Sequence, residues 1–161
     1  TGYFKDGNII YGGRTDAATR FIEPTLIENV PLDSPLMTEE IFGPVFPIVT
    51  FEDNFKERVI EFVTSREKPL AFYYFGKESD GWEIIRRTSS GGGCINDVIM
   101  HIANENVPFG GVGNAGMGRY HDKDSFDAFS HTRSIIATGT WIDLPFRYMP
   151  YKMFGLVKKI L

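Results

Sequence analysis

The sequence predicts an α/β protein that contains a partial doubly wound parallel sheet. Between residues 45 and 95, apolar segments of strand length alternate with helical segments in the order strand, helix, strand, helix, strand. The connections between these segments are short, which is typical of parallel βαβ units. Three strands are too few for a complete sheet of this kind. We therefore expect the missing strands to lie upstream of Thr1 or in a partner chain.

The composition is that of a globular protein. Of the 161 residues, 42% are hydrophobic and 24% are charged, and 14 Phe and 7 Tyr provide large groups for a core. A formal net charge of −4 gives no indication of a nucleic-acid surface. No apolar run approaches the roughly 20 residues of a membrane span. A single cysteine rules out an internal disulfide and fits a reducing compartment, so we predict a cytoplasmic protein.

The first fifty residues predict two strands and a turn. Residues 8–13 form a short strand that ends at a glycine pair. Residues 21–30 predict an edge strand or an extended arm, because Pro24 cannot donate a ladder hydrogen bond. The Gly-Pro pair at residues 43–44 predicts a turn, since glycine tolerates positive φ. A buried strand follows over residues 45–51.

The middle of the chain predicts two helices around a buried strand. Asp53 is an N-cap candidate for a helix that ends near Ser65. Residues 70–75 are continuously apolar, as expected for a strand that is covered on both faces. Asp80 and Glu83 resemble a capping box at the start of the second helix.

The second helix should place Trp82 and Ile85 towards the protein interior. Three consecutive glycines at residues 91–93 predict its end. A further short strand is expected to begin at Cys94.

The last forty residues predict shorter elements. Asp124 is expected to cap a short helix. Residues 134–138 predict a late strand, and residues 141–151 an extended segment with two prolines. Residues 152–161 predict a short amphipathic helix, which we expect to pack on the protein.

One segment combines adjacent carboxylates, an aromatic ring and a chain break. Residues 39–45 read Glu-Glu-Ile-Phe-Gly-Pro-Val, just before the strand over residues 45–51. Irregular segments that are positioned by strands often carry binding groups. The simpler interpretation is that the glutamates are solvated surface charges and that Phe42 belongs to the core.

This heptapeptide resembles a motif of the aldehyde dehydrogenase superfamily. A second region agrees with it in order and spacing: Asn-Asp-Val at residues 96–98 and Pro-Phe-Gly-Gly-Val-Gly-Asn-Ala-Gly-Met-Gly at residues 108–118. Asn-Asp-Val-Ile together with Gly-Met-Gly-Arg-Tyr-His is most similar to the class 3 branch, which includes fatty aldehyde enzymes. The resemblance covers nearly the whole chain.

The resemblance implies a place within a larger enzyme. Residues 1–161 would be the C-terminal part of the catalytic domain, and residues 131–161 a strand and an oligomerisation arm that contribute to a homodimer. The N-terminal dinucleotide-binding domain would be absent, as would the motifs of the nucleophilic cysteine and the general-base glutamate. The complete enzyme would use NAD or NADP to oxidise aliphatic or aromatic aldehydes, whereas this chain alone would be inactive.

The resemblance also implies roles for individual residues. Glu40 would accept hydrogen bonds from the hydroxyls of the nicotinamide ribose, and Phe42 would pack beside the nicotinamide; a carboxylate suits a diol in this way. The substrate channel would be lined by Ile99, Ile102, Phe109 and His121. No residue of this chain would carry the catalytic chemistry itself.

The remaining motifs give no indication of a phosphate, nucleophile or metal site. Residues 111–116 match the G-x-G-x-x-G pattern but lack the preceding strand and following helix that phosphate binding needs. Cys94 follows a predicted helix C-terminus and is expected to be buried and inert. The three histidines have no metal-ligand spacing, so no metal site is expected. We expect Asn96 to make structural hydrogen bonds.

Two alternatives to the enzyme part remain open. The chain could be a non-catalytic interaction module that pairs with a full-length subunit through an open sheet edge. It could also be an unrelated small α/β enzyme that uses Cys94 or the glycine-rich loop. Peripheral membrane association through the C-terminal helix has only weak support, because two lysines give little attraction to anionic lipid.

Overall fold

A computed structural model describes residues 2–143, 145–150 and 154–159 of the chain. Three 3₁₀ turns lie at Gly2–Lys5, Gly113–Ala115 and Pro145–Arg147 within the described residues. The strands are β1 (Asn8–Tyr11), β2 (Thr15–Asp16), β3 (Phe21–Ile22), β4 (Thr25–Glu28), β5 (Val45–Ile48), β6 (Ala71–Tyr74) and β7 (Gly92–Ile95). The α-helices are α1 (Pro35–Thr38), α2 (Phe55–Thr64), α3 (Glu78–Arg87), α4 (Met100–Ala103), α5 (Asp122–Ala128) and α6 (Phe154–Val157).

The first sheet has the strand order β1-β4-β5. Its central strand, β4, pairs antiparallel with β1 and parallel with β5. The prediction of one edge strand over residues 21–30 is therefore wrong. Pro24 lies between β3 and β4, where it does not interrupt the ladder, and β3 pairs with β2 in a separate short hairpin. Gly43 does not use positive φ, so the turn before β5 depends on Pro44 and not on a left-handed glycine.

A small apolar cluster holds this sheet to the segments around it. Ile27 of β4, Val30 and Leu36 of α1 are buried together. Tyr3, Phe4, Met37, Ile41 and Val45 pack against the cluster and are partly buried. The start of the chain and the segment after α1 thus share one core.

The second sheet confirms the α/β prediction. β6 and β7 pair in parallel and are joined through α3, as expected for a βαβ unit. β5 belongs to the first sheet, so the three predicted strands do not form one sheet within the described part of the chain. The glycines at residues 91–93 do not end α3, which stops at Arg87. Gly92 and Gly93 instead form the start of β7, where the two strands lie very close: a Cβ on Gly93 would sit 2.0 Å from the backbone oxygen of Phe72.

The helix starts differ from the predicted caps. α2 begins after Asn54, in the left-handed conformation, and α3 begins after Lys77. Asp80 therefore lies inside the first turn of α3, where its Oδ1 forms an ion pair with Nζ of Lys56 at 3.3 Å. Lys56 also pairs with Glu83 at 2.7 Å. The expected capping box is instead a charge contact between the two helices.

A second ion pair joins the same helices. Both terminal nitrogens of Arg87 donate to the carboxylate of Glu57, at 2.5 and 2.6 Å. The hydrogen bond lowers the pKa of Glu57 and raises that of Arg87. The inward face of α3 is formed by Gly81 and Ile84, which are buried. Trp82 is 45% exposed, so its predicted inward position is wrong.

The chain after α5 is exposed to solvent through residue 143 and forms no strand there. α5 begins after His121, and Asp124 forms an ion pair with Arg119 at 2.6 Å in place of the expected capping role. Residues 134–138 form no strand, and each of residues 126–143 is exposed. The predicted C-terminal helix is described only over Phe154–Val157; residues 151–153 and 160–161 lie outside the described part of the chain. None of the described helices has the length and hydropathy that a membrane crossing requires.

Candidate cofactor and substrate site

The loop between α1 and β5 carries the two glutamates and the exposed ring. α1 ends at Thr38, and the backbone becomes extended at Glu39, with φ −101° and ψ 154°. The amide of Glu39 donates to the carbonyl of Pro35 at 2.9 Å and closes the helix. Ile41 packs against the core cluster, which holds the middle of the loop.

Adjacent side chains on this loop have different surroundings. The hydroxyl of Tyr3 donates to Oε2 of Glu39 at 2.8 Å, which raises the pKa of Tyr3. Glu40 is exposed, and its carboxylate has no hydrogen bond or ion pair with any residue that the structure describes. Phe42 is 92% exposed, so the simple reading of this ring as part of the core does not hold within the described chain. The loop thus presents one carboxylate and one ring to the outside.

The second group of predicted residues follows β7. Asn96 has positive φ, and its side chain bonds the backbone of Gly76 twice. Its Oδ1 accepts from the Gly76 amide at 2.8 Å, and its Nδ2 donates to the Gly76 carbonyl at 2.9 Å. The expected structural role of Asn96 is therefore confirmed. Ile99 also has positive φ and is 58% exposed at the start of α4, whereas Ile102 is half-buried on that helix.

Aromatic and imidazole rings gather beside α4. Phe109 and Tyr120 form a two-residue antiparallel bridge, and their rings meet edge to face with centroids 5.7 Å apart. His121 stacks on Phe109 with centroids 6.3 Å apart. Two of the predicted channel residues, Phe109 and His121, are therefore in contact.

The backbone just before the glycine-rich loop fixes the ring of His121. Its Nδ1 lies 2.9 Å from the carbonyl oxygen of Val107. Since a carbonyl only accepts, Nδ1 carries the proton, and Nε2 has the free lone pair in the neutral ring. His121 has φ +96°, an uncommon backbone conformation for a residue with a side chain. Strain of this kind is often retained at functional positions.

His101 is a member of this ring cluster that the sequence did not indicate. Its ring lies 5.5 Å from the ring of Tyr73 and 5.5 Å from that of Phe109, measured between centroids. Its Nδ1 is 3.8 Å from Sγ of Cys94, and its Nε2 is buried without a hydrogen-bond partner. The spacing of seven residues between Cys94 and His101 matches no common motif, so only the fold brings them together.

A groove of about 570 Å³ is lined by residues of α3, of β7 and of the neighbouring strand β6. Its walls include Phe72, Trp82 and Ile85, and Cys94 and Asn96 line the strand side. The groove is mainly apolar, which suits an apolar segment or the chain of a small molecule.

The described residues give no support to a phosphate or metal site. The G-x-G-x-x-G stretch forms a three-residue 3₁₀ turn, and a Cβ on Gly111 would meet the Ala115 oxygen at 2.1 Å. Its glycines thus allow close backbone packing. Among the described residues, no group of three His, Cys, Asp or Glu side chains is arranged to hold a metal ion. No hydrogen bond, ion pair or ring contact in the described ranges joins the loop of Glu40 to the ring cluster.

The parallel βαβ unit, the exposed carboxylate–ring loop and the ring-lined segment after β7 define an α/β protein with two separate candidate binding segments. The sequence model of the aldehyde dehydrogenase family matches residues 3–135. The chain belongs to the aldehyde dehydrogenase family.

Its relatives are of class 3. The chain is 45% identical over 148 residues to aldehyde dehydrogenase family 3 member B1 of Rattus norvegicus, covering 90% of this chain and 31% of that protein. It is 47% identical over 152 residues to the dimeric NADP-preferring aldehyde dehydrogenase of Canis lupus familiaris, covering 92% and 33%.

A solved structure of AldH from Staphylococcus aureus in a substrate-bound state has the same fold. It superposes with a TM-score of 0.81 and 44% identity, over 99% of this chain and 35% of that one. The chain thus spans about a third of the length of these relatives.

Proposed function

We propose that this chain forms part of an NAD(P)-dependent aldehyde dehydrogenase that oxidises aliphatic or aromatic aldehydes to carboxylic acids. The family match over residues 3–135 carries this proposal. The relatives are about three times as long, so the complete enzyme here means a polypeptide of that length containing this chain. By resemblance, its nucleophilic thiol and general base lie in motifs absent from these 161 residues. The chain alone is then inactive.

The loop of Glu40 and Phe42 fits the nicotinamide half of the cofactor. An ionised carboxylate has only acceptor oxygens, which suit the two ribose hydroxyls. Glu40 is exposed without a described partner, so it loses no internal hydrogen bond when it binds. Phe42 offers a flat apolar surface that holds a ring by dispersion. Held there by Glu40 and Phe42, the cofactor would supply the hydride acceptor for the oxidation of the aldehyde.

The residues around α4 suit an apolar aldehyde chain. Ile99, Ile102 and Phe109 are apolar, and His121 adds one polar group whose Nε2 can accept a hydrogen bond. A wall of this kind favours long or aromatic aldehydes over polar ones. We assign these four residues to the substrate channel of the complete enzyme.

Glu40→Gln tests the cofactor role. In the complete enzyme, this change removes the charge but keeps the size, and hydrogen bonds to charged groups are the stronger ones. We expect the dissociation constant of NAD(P)H, measured by fluorescence, to rise roughly tenfold. Glu52→Gln is the matched control, because Glu52 is another exposed glutamate beside the first sheet. Equal affinities for parent and Glu40→Gln would refute the role of Glu40.

An interaction role has its own support. Residues 126–143 are exposed throughout, with Ile136 at 89% and Trp141 at 85%. The canine relative is named as dimeric. We propose that residues 131–161 contribute an arm to a homodimer of the complete enzyme, and that an isolated chain could pair with a full-length subunit. Sedimentation of the isolated chain with and without the complete enzyme tests this, and a strictly monomeric chain contradicts it.

A further inference from the structure

Two adjacent glutamates on the cofactor loop face different surroundings. Glu39 is bonded by the hydroxyl of Tyr3 at 2.8 Å, whereas Glu40 has no hydrogen bond or ion pair within the described chain. The backbone is extended at Glu39, and successive side chains of an extended segment point to opposite sides. When Glu39 is held against the protein, Glu40 therefore points away from it.

Tyr3 is itself held in place. It lies in the 3₁₀ turn Gly2–Lys5, and its carbonyl accepts a hydrogen bond from the Asp6 amide at 3.1 Å. Its ring packs against the buried cluster that contains Ile27, Val30 and Leu36. The hydroxyl is thus attached to the core of the first sheet through a rigid aromatic ring.

The loop has few other attachments. The Glu39 amide bonds Pro35, and the next backbone bonds occur at Gly43, which accepts from Val45, and at Pro44. Between these points, in the part of the chain that the structure describes, the backbone of residues 40–42 makes no hydrogen bond. The Tyr3–Glu39 contact is the one side-chain hydrogen bond of residues 39–43 in the same ranges.

We propose that Tyr3 and Glu39 form a positioning pair that sets the direction of Glu40 and Phe42 towards the nicotinamide half of the cofactor. This inference rests on the proposed function. Neither member of the pair touches the cofactor; each acts by holding the loop that does. Glu39, although exposed, thus holds the loop through its hydrogen bond to Tyr3, whereas Glu40 binds the cofactor.

The test compares two hydroxyl groups that make the same kind of contact. Tyr3→Phe in the complete enzyme removes one hydroxyl and keeps the ring against the core. Thr19→Val is the matched control, because the Thr19 hydroxyl also donates to a carboxylate, that of Asp16, at 2.8 Å. We expect Tyr3→Phe to raise the dissociation constant of NAD(P)H about three- to tenfold, the effect of one lost hydrogen bond. Thr19→Val should leave it unchanged.

AMP serves as a probe for the half of the cofactor that the loop does not contact. Tyr3→Phe should leave the AMP affinity unchanged, since only the nicotinamide half loses its aligned partner. Equal weakening of NAD(P)H and AMP, or a large fall in the thermal midpoint, would indicate a general loss of structure and overturn the proposal.

Rescue provides a second readout. Glu39→Gln keeps an oxygen that accepts from Tyr3 but loses the charge, so its NAD(P)H affinity should lie between those of the parent and Tyr3→Phe, whereas Glu39→Ala should match Tyr3→Phe. The double variant Tyr3→Phe/Glu39→Ala should show no further loss, because both changes remove the same contact. Additive losses would contradict the pairing.

The outcomes separate this inference from the proposed function. If Glu40→Gln weakens NAD(P)H binding and Tyr3→Phe does not, the positioning pair is wrong and the cofactor role of Glu40 stands. If Glu40→Gln has no effect, the cofactor role fails, and the positioning pair fails with it.

Discussion

The close approach of β6 and β7 leads to a quantitative prediction for Gly93→Ala. The new Cβ would lie 2.0 Å from the Phe72 oxygen, whereas Cβ atoms in real structures essentially never approach another heavy atom closer than 3.0 Å. Phe72 is the register partner of Gly93, so relief requires the paired strands to separate by roughly 1 Å or more at this point. Neighbouring ladder hydrogen bonds, which have an optimum at about 2.9 Å, do not survive a shift of that size.

The cost has two parts. Overpacking in a tight site costs about 1–3 kcal/mol, and each lost hydrogen bond adds about 1 kcal/mol. We therefore expect Gly93→Ala to lower the free energy of unfolding by about 3 kcal/mol or more. For a chain of this size, that corresponds to a fall of roughly 6–12 °C in the thermal midpoint.

Thermal unfolding followed by far-ultraviolet circular dichroism measures this effect. Gly43→Ala is the control, because a Cβ at Gly43 meets no atom within 4 Å and its φ is not positive. The control should lie within about 1 °C of the parent, as expected for an exposed substitution. A Gly93→Ala midpoint equal to that of Gly43→Ala would refute the close strand approach.

Two further predictions concern titratable and reactive groups. Arg87 lowers the pKa of Glu57 below the ordinary glutamate value, mainly through its hydrogen bond. The pair therefore stabilises the fold at pH values above the ordinary glutamate pKa. This stabilisation is lost as the pH falls through the lower pKa of the folded state. Glu57→Gln should therefore flatten the acid side of the pH–stability curve in that window, and an unchanged acid side would contradict the pairing. Cys94 is half-buried, so iodoacetamide should react slowly with the native chain and rapidly in denaturant. Fast native alkylation would instead indicate a thiol that His101 activates.

The sequence predicts the order of the helices and strands along the chain better than it predicts which of them lie side by side in the fold. The strand–helix–strand order around α3 follows from apolar spacing, which is a property of nearby residues. The sequence predicts an edge strand for the region of β4 because Pro24 lies within it. Sequence alone does not show that the paired strand begins one residue later, after the proline. The glycines before Cys94 were mistaken for a helix end because the approach of Phe72 is a contact between distant parts of the chain.

The residues of the candidate site also fall into two groups: those that a contiguous motif predicts, and those that only the fold brings together. The resemblance provides Glu40 and Phe42 through a contiguous motif, and it provides Phe109 and His121 through a second one. Tyr3 lies 36 positions from Glu39, and no motif joins them. The contact of Phe109 with His101 likewise requires the fold, since a histidine on a short apolar helix is an ordinary half-buried residue from sequence alone.

The small core of the described chain has a thermodynamic consequence. Five hydrophobic side chains are buried among the described residues, whereas rings such as Phe42 and Phe129 are almost fully hydrated. The heat capacity of unfolding and its denaturant dependence both grow with the apolar area that becomes wet. We therefore expect the isolated chain to unfold with a smaller heat-capacity change and a weaker denaturant dependence than a protein of the same length with a full core. Any polypeptide that covers those rings would raise both quantities, because the rings would then be buried in the native state and would become hydrated only on unfolding.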